Sequence, residues 1–125
     1  MDKKIIFTPN APAPIGPYSQ AVLVNNTLYC SGQIALTSEG NLDTSSIKNE
    51  TKQIMANINE VLKAAGMNFG NIVKTSIFLT DMNDFATVNE TYSKFFDKDF
   101  PARETVQVSA LPKGVHVEIS VIAVK

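Results

Sequence analysis

Apolar and polar residues alternate along the last part of the chain. Val115, Val117, Ile119, Val121 and Ala123 fall on one side of an extended segment, and His116, Glu118, Ser120, Ile122 and Val124 on the other. A period of two predicts a strand over 115–124. The same period predicts a strand over 104–110, with Val106 and Val108 opposite Thr105, Gln107 and Ser109. It predicts another over 72–80, with Val73, Thr75, Ile77 and Leu79 opposite Ile72, Lys74, Ser76 and Phe78. Between positions 47 and 65 the period changes. Ile47, Thr51, Ile54, Ile58, Val61, Leu62 and Ala65 recur three or four apart and form one stripe of a helix. Ser45 or Ser46 can cap its start and Gly66 can end it. A second helix is predicted from about 84 to 96, capped by Asn83 or Asp84, with Phe85, Val88, Tyr92, Phe95 and Phe96 as its stripe. Nearer the start, two short apolar runs, 21–24 and 27–30, flank Asn25-Asn26. Asparagine tolerates the positive φ of a tight turn, so this segment reads as a hairpin.

The order β-β-α-β-α-β-β, with two helices for about six strands, predicts an α+β fold in which both helices cover one face of a mixed sheet. Val106, Val108, Ile122 and Val124 make the other face too apolar to be left wholly to water. That predicts an oligomer whose sheets pack on one another. Glu39-Gly40-Asn41 and Leu111-Pro112-Lys113-Gly114 read as turns, and Gly32, after the second short run, suggests a bulge or a close backbone approach. The segment 8–18, with Pro9, Pro12, Pro14 and Pro17, is a stiff loop that delivers the hydroxyl of Tyr18.

Composition narrows the function. The 125 residues, 44% hydrophobic and 18% charged, fit one domain over 1–125. A net charge of −1 carries no electrostatic footprint for nucleic acid. No apolar run approaches the roughly 20 residues that cross a bilayer. The apolar stretch in Met1-Asp2-Lys3-Lys4-Ile5-Ile6-Phe7 is too short for a secretory signal. Cys30 is the single cysteine, so no intrachain disulfide can form, in keeping with a cytoplasmic location. One cysteine and one histidine, Cys30 and His116, do not make a usual zinc site, and the isolated glycines form no phosphate loop, so neither metal nor cofactor is expected.

Candidate chemistry starts from Arg103, the only arginine among eleven basic side chains. Its planar fork grips a carboxylate with two parallel bonds, which lysine cannot do. It sits where the loop Phe100-Pro101-Ala102 passes into a strand, a junction that holds a group rigidly with one side open. Glu118 is an acid in mid-strand, and Asn89 is an amide in or beside an apolar helical stripe that needs partners. Each also has a plainer reading: an exposed arginine at a strand end, a solvated carboxylate, an asparagine bonded to nearby backbone.

Taken together, five segments resemble one family. Ile15-Gly16-Pro17-Tyr18-Ser19-Gln20, Ser31-Gly32-Gln33, Asp81 through Asn89, Pro101-Ala102-Arg103 and Leu111 through Glu118 are similar, in order and spacing, to the reactive intermediate deaminase A (RidA, or YjgF) family. The resemblance implies a chorismate-mutase-like α+β fold and a homotrimer with a central barrel-like core and clefts between subunits. It implies hydrolysis of 2-aminoacrylate and related enamines and imines, released by pyridoxal-phosphate enzymes, to 2-keto acids and ammonia. It implies that Arg103 holds the substrate carboxylate, that Glu118 orients water, and that Tyr18, Ser31, Asn89 and Thr105 line the pocket. Such imines already react with water, so positioning suffices without metal, cofactor or covalent intermediate. Many relatives carry cysteine where this chain has Thr105, so a thiol has no role there. A non-catalytic regulatory trimer that binds 2-keto or 2-imino acids is the alternative. A ribonuclease or translation inhibitor, a label relatives have carried, is opposed by the acidic balance and the single histidine.

Overall fold

The computed structural model describes residues 2–125. Six strands form one mixed sheet: β1 (Lys4–Ile6), β2 (Ala21–Val24), β3 (Thr27–Gln33), β4 (Ile72–Leu79), β5 (Ala102–Gln107) and β6 (Val117–Val124). Their spatial order is β1-β2-β3-β6-β4-β5. Every pairing is antiparallel except β4 with β5. Helix α1 (Ile47–Ala64) links β3 to β4, and α2 (Phe85–Ser93) links β4 to β5. β3 and β4 both run against β6, so each helix joins two parallel strands. Both links step across the sheet in the same direction. Right-handed crossovers therefore put both helices on the same face. Ile54, Met55, Ile58, Val61 and Leu62 of α1, with Val88 and Tyr92 of α2, bury against Ile77, Leu79, Val117, Ile119, Val121 and Ala123.

The predicted α+β architecture stands. β6 shows the expected alternation, its odd-numbered side chains buried. Asn25 and Asn26 take φ of 47° and 67° and close the hairpin. Ser46 caps α1, its side chain accepting from the Asn49 N–H. At the other end Gly66 adopts φ 72°, and the Met67 N–H reaches back to the Leu62 carbonyl at 2.8 Å. That is a glycine-terminated helix end with its last carbonyls satisfied.

Four local expectations need correction. Val73 is exposed and Ile72 buried, because a register shift between Ile72 and Lys74 rotates the start of β4 to the other face. Asp84 holds the N-cap position of α2 but its side chain makes no capping bond; the side-chain cap comes from Asp81, which accepts from the Asn83 N–H at the head of the short 3-10 turn that leads into α2. α2 ends at Ser93, where bonds from Phe95 N–H to Tyr92 and from Phe96 N–H to Ser93 tighten the chain. Those bonds bring Phe95 and Phe96 against Phe69, at 5.5 and 6.0 Å between ring centroids. β5 starts at Ala102, two residues earlier than the alternation suggests. The first strand, Lys4–Ile6, completes the six.

The uncovered sheet face carries an apolar row. Ile5, Val22, Tyr29 and Ile122 lie opposite one another across four adjacent strands, and Tyr29 is 51% exposed. Beside it Lys74 pairs with Glu104 at 2.8 Å, and Ser76 donates to the same carboxylate. These hydrogen bonds, that of Lys74 first, hold the Glu104 carboxyl below its ordinary pKa. No helix among the described residues is long and apolar enough to cross a membrane.

Glu50 of α1 is fully buried. Its Oε1 accepts from the His116 and Val117 backbone N–H groups at 2.7 and 3.0 Å, and its Oε2 lies 3.0 Å from His116 Nδ1. The side chain thus pins the start of β6. Glu50→Ala leaves two N–H groups without an acceptor and is expected to lower unfolding free energy by about 3 kcal/mol. Glu50→Gln keeps an oxygen for both donors and is expected to lose far less. Denaturant unfolding of the two variants checks the ordering.

Candidate active site

The six predicted site residues gather in two groups. Tyr18, Ser31 and Glu118 border one open cavity of about 290 Å³, together with Ile15, Gly32 and Pro112. Asn89 and Arg103 border another of about 190 Å³, with Tyr92, Phe100 and Pro101. Thr105 follows Arg103 by two along β5, on the same side of that strand.

The first group is built on a bulge. Cys30 pairs with Val121 and Gln33 with Ile119, so β3 holds one more residue than β6 across the Ser31-Gly32 step. The bulge turns the Gly32 backbone toward Glu118. A Cβ built on Gly32 would stand 2.6 Å from Glu118 Oε2, closer than real Cβ contacts allow. Glycine is therefore what lets the carboxylate lie there. Gly32 thus serves both the bulge and the close approach that its place in the sequence suggests. Partial burial raises the Glu118 pKa above its ordinary value.

Gln20, which sequence reasoning passes over, holds the proline loop above this carboxylate. It is 2% exposed. Its amide oxygen accepts from the Thr8 N–H at 2.7 Å, and its amide nitrogen donates to the carbonyls of Thr8 and Pro12 at 3.0 and 2.9 Å. A loop of prolines has few N–H donors of its own, and one buried amide replaces the missing ladder. Ser31 ties the same loop down: its N–H donates to the Gln20 carbonyl and its hydroxyl to the Ser19 carbonyl at 2.6 Å. Tyr18 Oη accepts from the Ile15 N–H at 3.2 Å, which folds the ring back over its own loop. Asn57 does a similar service behind the site. It donates to the carbonyls of Ile34 and Leu36 at 3.1 and 2.8 Å. The only signals for these residues are a glutamine after Pro-Tyr-Ser and polar residues beside a helical stripe, and neither pattern is specific.

The second group lies at the edge of the sheet. Arg103 pairs in register with Thr75, and Thr75 with Val121, so Arg103 points to the helix-covered face. There its guanidinium carbon lies 5.4 Å from the Tyr92 ring centre and 5.8 Å from that of Phe85. Among the described residues it makes no ion pair with a carboxylate. Burial raises the Tyr92 pKa, against the opposing pull of the Thr75 hydrogen bond and the Arg103 charge. Thr105 Oγ1 is buried with no hydrogen-bond partner. The Val108 N–H donates inward to the Leu79 carbonyl. Strand alternation then aims the backbone groups of Arg103 and Thr105 at the free edge beyond β5.

Glu118 points the other way. It pairs with Phe78 on the uncovered face, whereas Arg103 shares a register row with the buried Thr75 and Val121. Within one chain the two charged groups therefore sit on opposite faces of the sheet. Cys30, beside Ser31, is buried, and burial pushes its thiol up to about 12, which leaves it an inert apolar filler. Among the described residues no three His, Cys, Asp or Glu side chains gather as a metal site.

Comparison with known proteins agrees with the fold and the motifs. Residues 8–125 match the sequence model of the family described as Endoribonuclease L-PSP. A Bos taurus protein named 2-iminobutanoate/2-iminopropanoate deaminase is 53% identical over 98% of this chain and 90% of its own length. The crystal structure of the Rid-family protein YyfA from Yersinia pestis superposes with a TM-score of 0.96 at 49% identity, covering 99% of this chain and 100% of that one. E. coli TdcF with bound serine superposes at 0.93 and 41% identity, covering 98% of both chains.

Proposed function

The chain belongs to the endoribonuclease L-PSP family, and from that membership and the two half-sites we propose that it hydrolyses 2-imino acids and their enamine tautomers to 2-keto acids and ammonia. The observation that carries this reading is the Arg103 guanidinium. It is partly buried beside an open cavity, and among the described residues no carboxylate is paired to it, so its charge is left for an anionic ligand.

The chemistry follows from the substrate. In a 2-imino acid the carboxylate adjoins an electrophilic C=N carbon. Arg103 binds the carboxylate with both arms of its fork. An enamine first takes a proton on carbon and gives one up from nitrogen, becoming the imine. Water held by Glu118 then adds to the C=N carbon, giving up a proton to the carboxylate as the C–O bond forms. Glu118 passes that proton to the nitrogen of the tetrahedral adduct; the adduct's hydroxyl proton then reaches the nitrogen by the same carboxylate as the C–N bond breaks, so that ammonia leaves and the C=O bond closes. One water is consumed and one ammonia released. The raised pKa makes Glu118 a stronger base than an ordinary carboxylate for the first of these transfers. Tyr18, Ser31, Asn89 and the outward backbone of Thr105 enclose the substrate.

Arg103 and Glu118 face opposite sides of one sheet, so a single cleft uses them together only if two copies of the chain meet. We place the catalytic cleft between subunits of a homotrimer, with Arg103 and Asn89 from one copy and Glu118, Ser31 and Tyr18 from the next. The row Ile5, Val22, Tyr29 and Ile122, of which Ile5 and Tyr29 are exposed and Val22 and Ile122 half-buried, supports burial of the open face against neighbours. A cytosolic setting suits the lone free thiol. The nuclease activity in the family's name is not favoured: acidic residues outnumber basic ones, and the only histidine is engaged by buried Glu50.

Gly32→Ala tests the Glu118 half directly. The added methyl displaces the carboxylate, and kcat/KM is expected to fall about a hundredfold with the fold intact. The overall reading is tested by generating 2-aminoacrylate from serine with a pyridoxal-phosphate dehydratase and following ammonia release. The protein is expected to accelerate release; an unchanged rate overturns the hydrolase. A second reading, a ligand-binding regulator, draws on the relative that holds serine. It predicts saturable binding of pyruvate with no acceleration in the same assay.

A further inference from the structure

Phe85 and Tyr92 are seven residues apart on α2, two turns along one helical face, and the guanidinium of Arg103 lies between their rings. Asn89 stands between them in sequence, on the same face, and borders the same cavity. Tyr92 is itself fixed: it is 4% exposed, and its hydroxyl donates to Thr75 Oγ1 at 2.9 Å. Thr75 is fully buried and pairs in register with Arg103. Phe85, by contrast, is 38% exposed.

An arginine in a protein interior is ordinarily aligned by a carboxylate. Arg103 has none among the described residues, and a carboxylate there would compete with an anionic ligand. Aromatic faces attract the cation without occupying its N–H groups. Resting on the proposed role of Arg103 as the carboxylate anchor, we propose that Phe85 and Tyr92 are positioning residues that hold its guanidinium between them, so that the donor fork stays free toward the cavity beside Asn89. This makes the pair a determinant of specificity for a planar carboxylate. It also accounts for an exposed phenylalanine at position 85: the ring serves Arg103 rather than the core.

The test compares binding of pyruvate with that of pyruvamide, its uncharged amide, by NMR titration of wild type, Phe85→Leu, Phe85→Tyr and Tyr92→Phe. Wild type is expected to prefer pyruvate. Phe85→Leu is expected to reduce that preference about tenfold by loosening the cation. Phe85→Tyr and Tyr92→Phe, which keep the rings, are expected to retain most of it. A structural role alone would weaken both ligands equally and leave the ratio unchanged. Because Phe85 is partly exposed, its variants are expected to fold as wild type, with superimposable circular dichroism. A Phe85→Leu protein with the full wild-type preference overturns the positioning role while leaving Arg103 as anchor. A wild-type protein with no preference overturns the anchor and the positioning role together.

Discussion

Glu118→Gln is expected to lower kcat/KM for imine hydrolysis by about 10²–10⁴-fold, the usual worth of a positioned acid–base group, while making the folded protein more stable at neutral pH. The two effects have one cause. Partial burial raises the Glu118 pKa, so the ionised side chain is held at a cost in the folded state. The sign follows from linkage. A carboxyl whose folded pKa lies above its unfolded one opposes folding at pH values above the folded pKa. That opposition fades as pH falls through the raised value toward the ordinary 4.5. Glutamine never bears the charge. Its thermal advantage is therefore expected at neutral pH and should shrink on acidification through the same window. Wild-type activity should rise with pH through the raised Glu118 pKa, and the variant should lose that limb. Thermal melts and pH–rate profiles of the two proteins check both. A variant that is less active and also less stable at every pH would make Glu118 a packing residue.

Arg103→Lys is expected to lower kcat/KM by on the order of ten- to a hundredfold, equivalent to about 1.5–3 kcal/mol for one charge-assisted hydrogen bond. Lysine preserves the charge but not the planar fork, and its ammonium is a poorer partner for two facing rings. The loss should appear for substrates that carry a carboxylate beside the imine and be much smaller for imines that lack it. Steady-state kinetics on both substrate types makes the distinction. A lysine variant with full activity would contradict the two-point grip. Stability is expected to change little, because among the described residues Arg103 pairs with no carboxylate that would be left without its partner.

Strong periodicity made the frame of the protein legible. β6, α1 and the Asn25-Asn26 hairpin were readable because burial on one face leaves a pattern of period two or 3.6, and because asparagine and glycine mark positive φ. The site was half legible. Arg103 stood out by being the only arginine, and Gly32 by interrupting a strand. The supporting residues were not readable, because their partners are distant in sequence. Gln20 bonds a loop twelve residues away, Glu50 a strand 66 residues away, and Asn57 a loop more than twenty residues away. A buried polar residue looks like a surface one until the fold brings its donors and acceptors together. Val73 failed for a different reason: one register shift at the start of β4 inverted the faces, and nothing in an apolar Ile-Val pair marks where a bulge falls. The separation of Arg103 from Glu118 followed only from the register linking β5, β4 and β6.

Subunit mixing tests that separation most directly. Arg103→Ala and Glu118→Ala proteins, each inactive alone, are unfolded together in equal amounts, refolded and assayed for ammonia release from enzymatically generated 2-aminoacrylate. If each cleft takes its guanidinium from one copy and its carboxylate from the next, random assembly restores about one intact cleft in four, and activity returns to about a quarter of that of refolded wild type. Mixed assemblies that stay as inactive as either parent would mean that no cleft combines the two groups from different copies, and the shared cleft between subunits would be contradicted.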